Sequence, residues 1–233
     1  MSTCRQIMYM IFDELKISSD DSYWNESHIA FLINKFRNIL LKKYANERKK
    51  IPDRAYQEIC LTIDWKEDCL KGTFVNSNEQ IPYFLNLGNN YSRYDIYPDG
   101  DYLNNKEWTL TSMGRLRYVG NNKWLNRIIY FAVSPDRKLY LNSGNVNYKY
   151  LKKVKINGIF DDPIEANKLS CNNNSLIGDE CDEYDFQYPI NEELVPTLIE
   201  MILQHLNPAI YRPEDKQNNS DDDLSDLNTQ KNN

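Results

Sequence analysis

The chain has 233 residues, 41% of them apolar and 27% charged, enough to bury the core of one or two domains. Its net charge of −6 argues against a general nucleic-acid binder, which needs a basic surface to neutralise phosphates. No run approaches the roughly 20 apolar residues of a membrane span, and the opening MSTCRQIMYMIFDEL lacks the basic and apolar regions of a signal peptide, so the chain is expected inside a cell with no membrane partner.

Thr3 to Lys16 places Ile7, Ile11 and Leu15 at helical spacing, and Phe12 widens that face. Ser, Asp and Asn break the pattern before Asn25, which predicts an N-cap for the next helix. Ile29, Leu32, Ile33, Phe36, Leu40 and Tyr44 then form one apolar stripe, with Lys35, Arg37, Lys42 and Lys43 off it. At about 1.5–3 kcal/mol per buried large side chain, such a stripe must be covered. Pro52 opens a short helical reading to Glu58, with proline at the first helical position.

From Ile59 the pattern changes to short segments rich in β-branched and aromatic residues: CLTIDW, IPYFLNL, WTLTS, RLRYVG, IIYFAV, KLYLN and LKKVKINGIF. Ser134-Pro135-Asp136-Arg137 predicts a hairpin turn, since proline presets φ at its second position. Asp161 or Asp162 is expected to cap a short helix begun by Pro163. An acidic, Asn-rich loop follows over residues 171–185. Val195, Leu198, Ile199, Ile202 and Leu206 share a face of the last helix, which Pro208 is expected to stop. The tail from Gln217 is nearly free of large apolar residues and cannot offset its own ordering entropy.

Charge is uneven along the chain. Lys35 to Arg54 carries eight Lys/Arg against two Asp/Glu, whereas Leu176 to Asp226 carries fourteen Asp/Glu against two Lys/Arg. Two solvated faces explain this, and so does complementarity between adjacent subunits. The five cysteines have no CxxC spacing and an odd count, which argues for free thiols rather than a disulfide scaffold.

No residue set predicts catalysis, a cofactor or a metal site. Asp95, Asp99 and Asp101 miss the spacing of a calcium loop and fit a turn on Pro98-Asp99-Gly100. Asp161-Asp162 fits a helix start better than a metal-binding carboxylate pair. Asp179, Glu180, Asp182, Glu183 and Asp185 read as a solvated or docking strip, and KKYANERKK over 42–50 as a polar helix end. His28 and His205 stand isolated, and no phosphate-binding glycine loop occurs.

Three blocks in fixed order carry a resemblance: SSDDSYWNESHIAFLINKFRNILLKKY (18–44), GIFDDPIEANKL (158–169), and YPINEELVPTLIEMILQHL (188–206) followed by Arg212-Pro213-Glu214-Asp215 and a polar tail. Together they resemble the head-to-tail connector structural proteins of crAss-like short-tailed bacteriophages. Residues from about 70 to 150 match only in style. The resemblance implies a virion protein at the head-tail junction, assembled in the host cytoplasm. Such proteins form a ring, typically twelve-fold, below the portal. Its implied partners are copies of itself, the portal protein, an adjacent tail or ring protein, and DNA that passes without sequence-specific binding. An acidic wall suits that passage.

The combined expectation is an α+β, non-enzymatic ring adaptor. Helices over 1–58 and 161–210 pack together, an antiparallel all-β module over 59–160 is inserted between them, and residues 211–233 form an extended or disordered arm. Lys35, Lys42, Lys43, Leu198, Ile199, Ile202, Tyr211, Arg212, Pro213 and Asp215 are the candidate subunit or partner contacts. Two other functions remain open: a metal-dependent phage enzyme using Asp161 and Asp162, and a monomeric β-rich binding module.

Overall fold

The computed structural model describes residues 2–18, 25–68, 72–88, 94–100, 106–120, 123–171 and 183–210. The chain folds as α+β, with three long or medium helices that share one core and a seven-stranded sheet that builds a second. Helix α1 spans Cys4–Ser18, α2 spans Glu26–Asn46 and α5 spans Val195–Ile210. Ile7, Ile11 and Leu15 of α1 meet Ile29, Leu32 and Ile33 of α2 and Leu198, Ile202 and Leu206 of α5 in one buried cluster. The apolar stripes expected to need cover therefore cover one another. Asn25 caps α2 by accepting a hydrogen bond from the Ser27 N–H, which satisfies a donor that has no partner inside the helix.

The strands are β1 (Gln57–Asp68), β2 (Gly72–Ser77), β3 (Asp95–Pro98), β4 (Glu107–Leu110), β5 (Ile128–Val133), β6 (Leu139–Asn142) and β7 (Lys153–Gly158). Their order is β3-β7-β1-β2-β6-β5-β4. β1 is the spine. Its first half pairs with β7, as in Ile59 opposite Ile156, and its second half pairs with β2, as in Ile63 opposite Ser77. Period-two alternation then sends Ile59, Leu61 and Ile63 into the core with Val154 and Ile156 of β7 and Leu139 and Leu141 of β6. Gly158 ends β7 where a Cβ would come within 3.0 Å of the Phe84 ring.

Several expectations need correction. The sheet is mixed, because β4 runs parallel to β5, with Trp108 opposite Ile129. The crossover between them holds the short helix α3 (Met113–Leu116). RLRYVG is therefore helix and turn, with Leu116 buried against Ala132. IPYFLNL makes only an isolated bridge, Phe84 to Phe160. Pro52 precedes a single 3-10 turn, Asp53–Ala55. Helix α5 continues through Pro208 to Ile210. The Ser134–Arg137 turn forms as expected, with the Arg137 N–H donating to the Ser134 carbonyl at 2.9 Å.

Cysteine usage also departs from expectation. Cys60 of β1 and Cys171 form a disulfide across 111 residues of sequence, and Cys4 is a buried free thiol. Odd count and wide spacing hid the pair. The backbone brings it together, because Ile59 bridges Ser170 and the Cys60 N–H donates to the Leu169 carbonyl. Cys69, Cys181 and the arm expected over 211–233 lie outside the described residues.

Candidate assembly interface

A buried cation helps join the helical layer to the residues that flank the sheet, beside an apolar cluster in which Leu41 and Ala45 of α2 meet Leu85, Leu87 and Ile159. Arg37 faces inward from α2 and is fully buried. Its Nε donates to the Pro189 carbonyl at 2.9 Å, Nη1 to the Phe160 carbonyl at 3.0 Å, and Nη2 to the Ala55 carbonyl at 3.2 Å. Nη1 also reaches Asn38 Oδ1, and the guanidinium lies 5.9 Å from the centre of the Tyr188 ring. Burial lowers its pKa, and Tyr188, Asp161 and Asp162 oppose that shift. With each of its three nitrogens hydrogen-bonded, this guanidinium is a structural group rather than a reactive one.

The neighbouring polar groups extend this joint. Asp162 caps helix α4 (Pro163–Lys168) by accepting from the Ile164 and Glu165 N–H groups, and Asn34 of α2 donates to the same carboxylate at 3.1 Å. Asn38 donates to both the carbonyl and the side chain of Asp161. The Tyr188 hydroxyl donates to Asn34 Oδ1 at 2.7 Å. Asp161 and Asp162 thus fasten the strand-to-helix corner to α2, as a helix start would. Among the described residues, no group of three or more His, Cys, Asp or Glu is placed to hold a metal ion.

The helical layer presents two further faces to solvent. One is an open groove of about 770 Å³ between α1 and α5. Met10, Val195, Pro196, Ile199 and Leu203 form its apolar lining. The carboxylates of Glu14 and Glu200 stand at its rim, and neither forms an ion pair among the described residues. The other face is the outer side of α2, where Phe31 is 61% and Ile39 42% exposed. Lys35 and Lys42 share that arc and Lys43 flanks it, because positions 31, 35, 39 and 42 lie on one side of a 3.6-residue helix. Lys35 stacks on the Phe36 ring at 5.6 Å, but no carboxylate pairs with Lys35, Lys42 or Lys43 among the described residues.

The candidate contacts are thus distributed. Lys35, Lys42 and Lys43 are exposed on α2, while Ile199 is half-buried at the groove. Leu198 and Ile202 are fully buried in the chain's own helical core. Tyr211, Arg212, Pro213 and Asp215 lie outside the described residues, as do Asp101, Asp179, Glu180 and Asp182. Glu183 pairs with Lys168 at 2.7 Å and Asp185 with Arg5 at 2.9 Å, so that end of the acidic loop is held to the helices. Sequence reasoning missed Phe31, Ile39, Met10 and Leu203. The available signal was two large apolar residues eight positions apart on α2 and outside its core stripe.

The sequence profile of the family described as phage tail ring protein 2 matches residues 6–224. Ring protein 2 of Bacteroides phage crAss001 is 40% identical over 230 residues, which covers 96% of this chain and 99% of that protein. The chain belongs to the phage tail ring protein 2 family of crAss-like phages.

Proposed function

We propose that the protein is a structural component of the virion, a head-to-tail adaptor that forms a ring under the portal and extends the DNA channel toward the tail. Twelve-fold symmetry follows if the ring matches the portal typical of such phages. The observation that supports this reading is the pair of open faces on the helical layer. A closed ring needs two different surfaces on each subunit, one for each neighbour. An apolar groove with an acidic rim and an apolar ridge with lysines supply two such surfaces.

Electron microscopy of the purified protein, alone and with its portal protein, tests the proposal. The expected result is a closed ring of fixed symmetry seated on the portal. A concentration-independent monomer under both conditions would support a binding module instead. The segment 212–233 is assigned to docking on the portal or the next ring. Its deletion should weaken that docking and leave the thermal unfolding midpoint unchanged. Undiminished docking after the deletion would remove the arm from the proposal.

A further inference from the structure

We propose that the α2 ridge of one copy seats in the α1/α5 groove of the next, with Phe31 and Ile39 as apolar anchors and Lys35 and Lys42 facing Glu14 and Glu200. The inference rests on the ring reading and names the contact that closes the ring. Lengths match. Phe31 and Ile39 are eight residues apart on α2, and Val195 and Leu203 are eight apart on α5, so each pair spans about 12 Å at 1.5 Å per residue. Charge matches too, since the ridge carries unpaired cations and the groove rim unpaired anions among the described residues.

A partner of other chemistry fits less well. Duplex DNA would suit the lysines but would leave Phe31 and Ile39 in water. The pairing is heterologous, because ridge and groove are different surfaces of the same chain. It therefore propagates around a ring and does not stop at a two-fold dimer. Apolar anchors at helical spacing in a groove are a recurring mode of helix recognition, and the charged rim sets register and suppresses wrong pairings.

Charge reversal tests this on the full-length chain. One variant carries Lys35→Glu and Lys42→Glu, a second carries Glu14→Lys and Glu200→Lys, and a third carries all four. Ring formation is measured by sedimentation velocity and electron microscopy, with circular dichroism confirming the fold. Each of the first two variants should lose association by about ten-fold or more. Mixing them should restore an alternating ring, because each ridge then meets a groove of opposite charge, and the fourfold reversal should restore a uniform one.

Phe31→Ser provides a variant that leaves the charges in place and should also weaken the ring. The pairing is overturned while the ring reading stands if the wild type forms rings and the reversals leave them unchanged. It is also overturned if both variants lose rings that mixing does not recover. A wild type that stays monomeric with its portal protein overturns both. A Lys35/Lys42 reversal that abolishes duplex DNA retention without altering the ring assigns the ridge to the channel wall and overturns the pairing.

Discussion

Replacing Arg37 with methionine keeps most of the side chain's volume and removes all of its donors. The Ala55, Phe160 and Pro189 carbonyls would each lose a buried charged partner. A hydrogen bond to a charged group contributes about 1.5–3 kcal/mol, and relief of the buried charge offsets part of the loss. Arg37→Met should therefore lower stability by about 2–4 kcal/mol, read from the urea midpoint at unchanged slope. Alkaline pH probes the tyrosines in a similar way. Burial and a hydrogen bond to Glu58 push the Tyr97 phenol from 10.0 up to about 12, and burial holds Tyr188 well above its ordinary value. A pKa raised by folding means the folded state holds its proton more tightly. This contribution is complete below pH 10 and disappears as pH rises through about 12. Tyrosinate absorbance should accordingly rise together with loss of circular dichroism, and Tyr97→Phe should flatten that part of the profile.

At the scale of elements, Asp162 connects a helix start to a neighbouring helix. Asp162→Ala would free two N–H groups of α4 and the Asn34 amide. Loss of a cap costs about 1 kcal/mol, and a fall of about 2–4 °C in thermal midpoint is expected for a chain of this size. The disulfide closes a loop of 111 residues between β1 and the end of α4. Reduction should cost about 2–4 kcal/mol and leave the sheet in place, since β1 still pairs with β7 and bridges Ser170. Denaturant titrations with and without reductant measure this.

The elements also show what was legible in the sequence. α1, α2, β1, β5, β6 and β7 carry their own periodicity, and the Asn25 and Asp162 caps follow from side chains that accept backbone N–H groups. β2 was missed because Gly72, Asn76 and Ser77 disguise a strand that its neighbours β1 and β6 hold in place. The parallel direction of β4 depends on a crossover that no local pattern encodes. RLRYVG has strand composition, yet tertiary packing of Leu116 beneath Ala132 makes it helix and turn. The candidate interface was half legible: the lysines of α2 stood out by charge, whereas the groove exists only where two distant helices meet.

At the scale of the molecule, the helical layer exposes Lys35 and Lys42 on α2 and Glu14 and Glu200 along the α1/α5 groove. Ring association that depends on these charges should slow as salt rises, since screening shortens from about 10 Å at 0.1 M to about 3 Å at 1 M. Stopped-flow light scattering across that range would show a falling association rate if ridge and groove steer the encounter. A flat response would assign association to the apolar anchors alone.

The Arg37 joint has a consequence for how the protein can change over time. Ala55 precedes the first strand and Phe160 follows the last, and both carbonyls lie within 3.2 Å of the same guanidinium. The sheet therefore leaves and rejoins the helices at a single doorway. Loops remote from that doorway, and from the packing of Leu85 and Leu87 on Leu41 and Ala45 of α2, can therefore change in length without moving the helices.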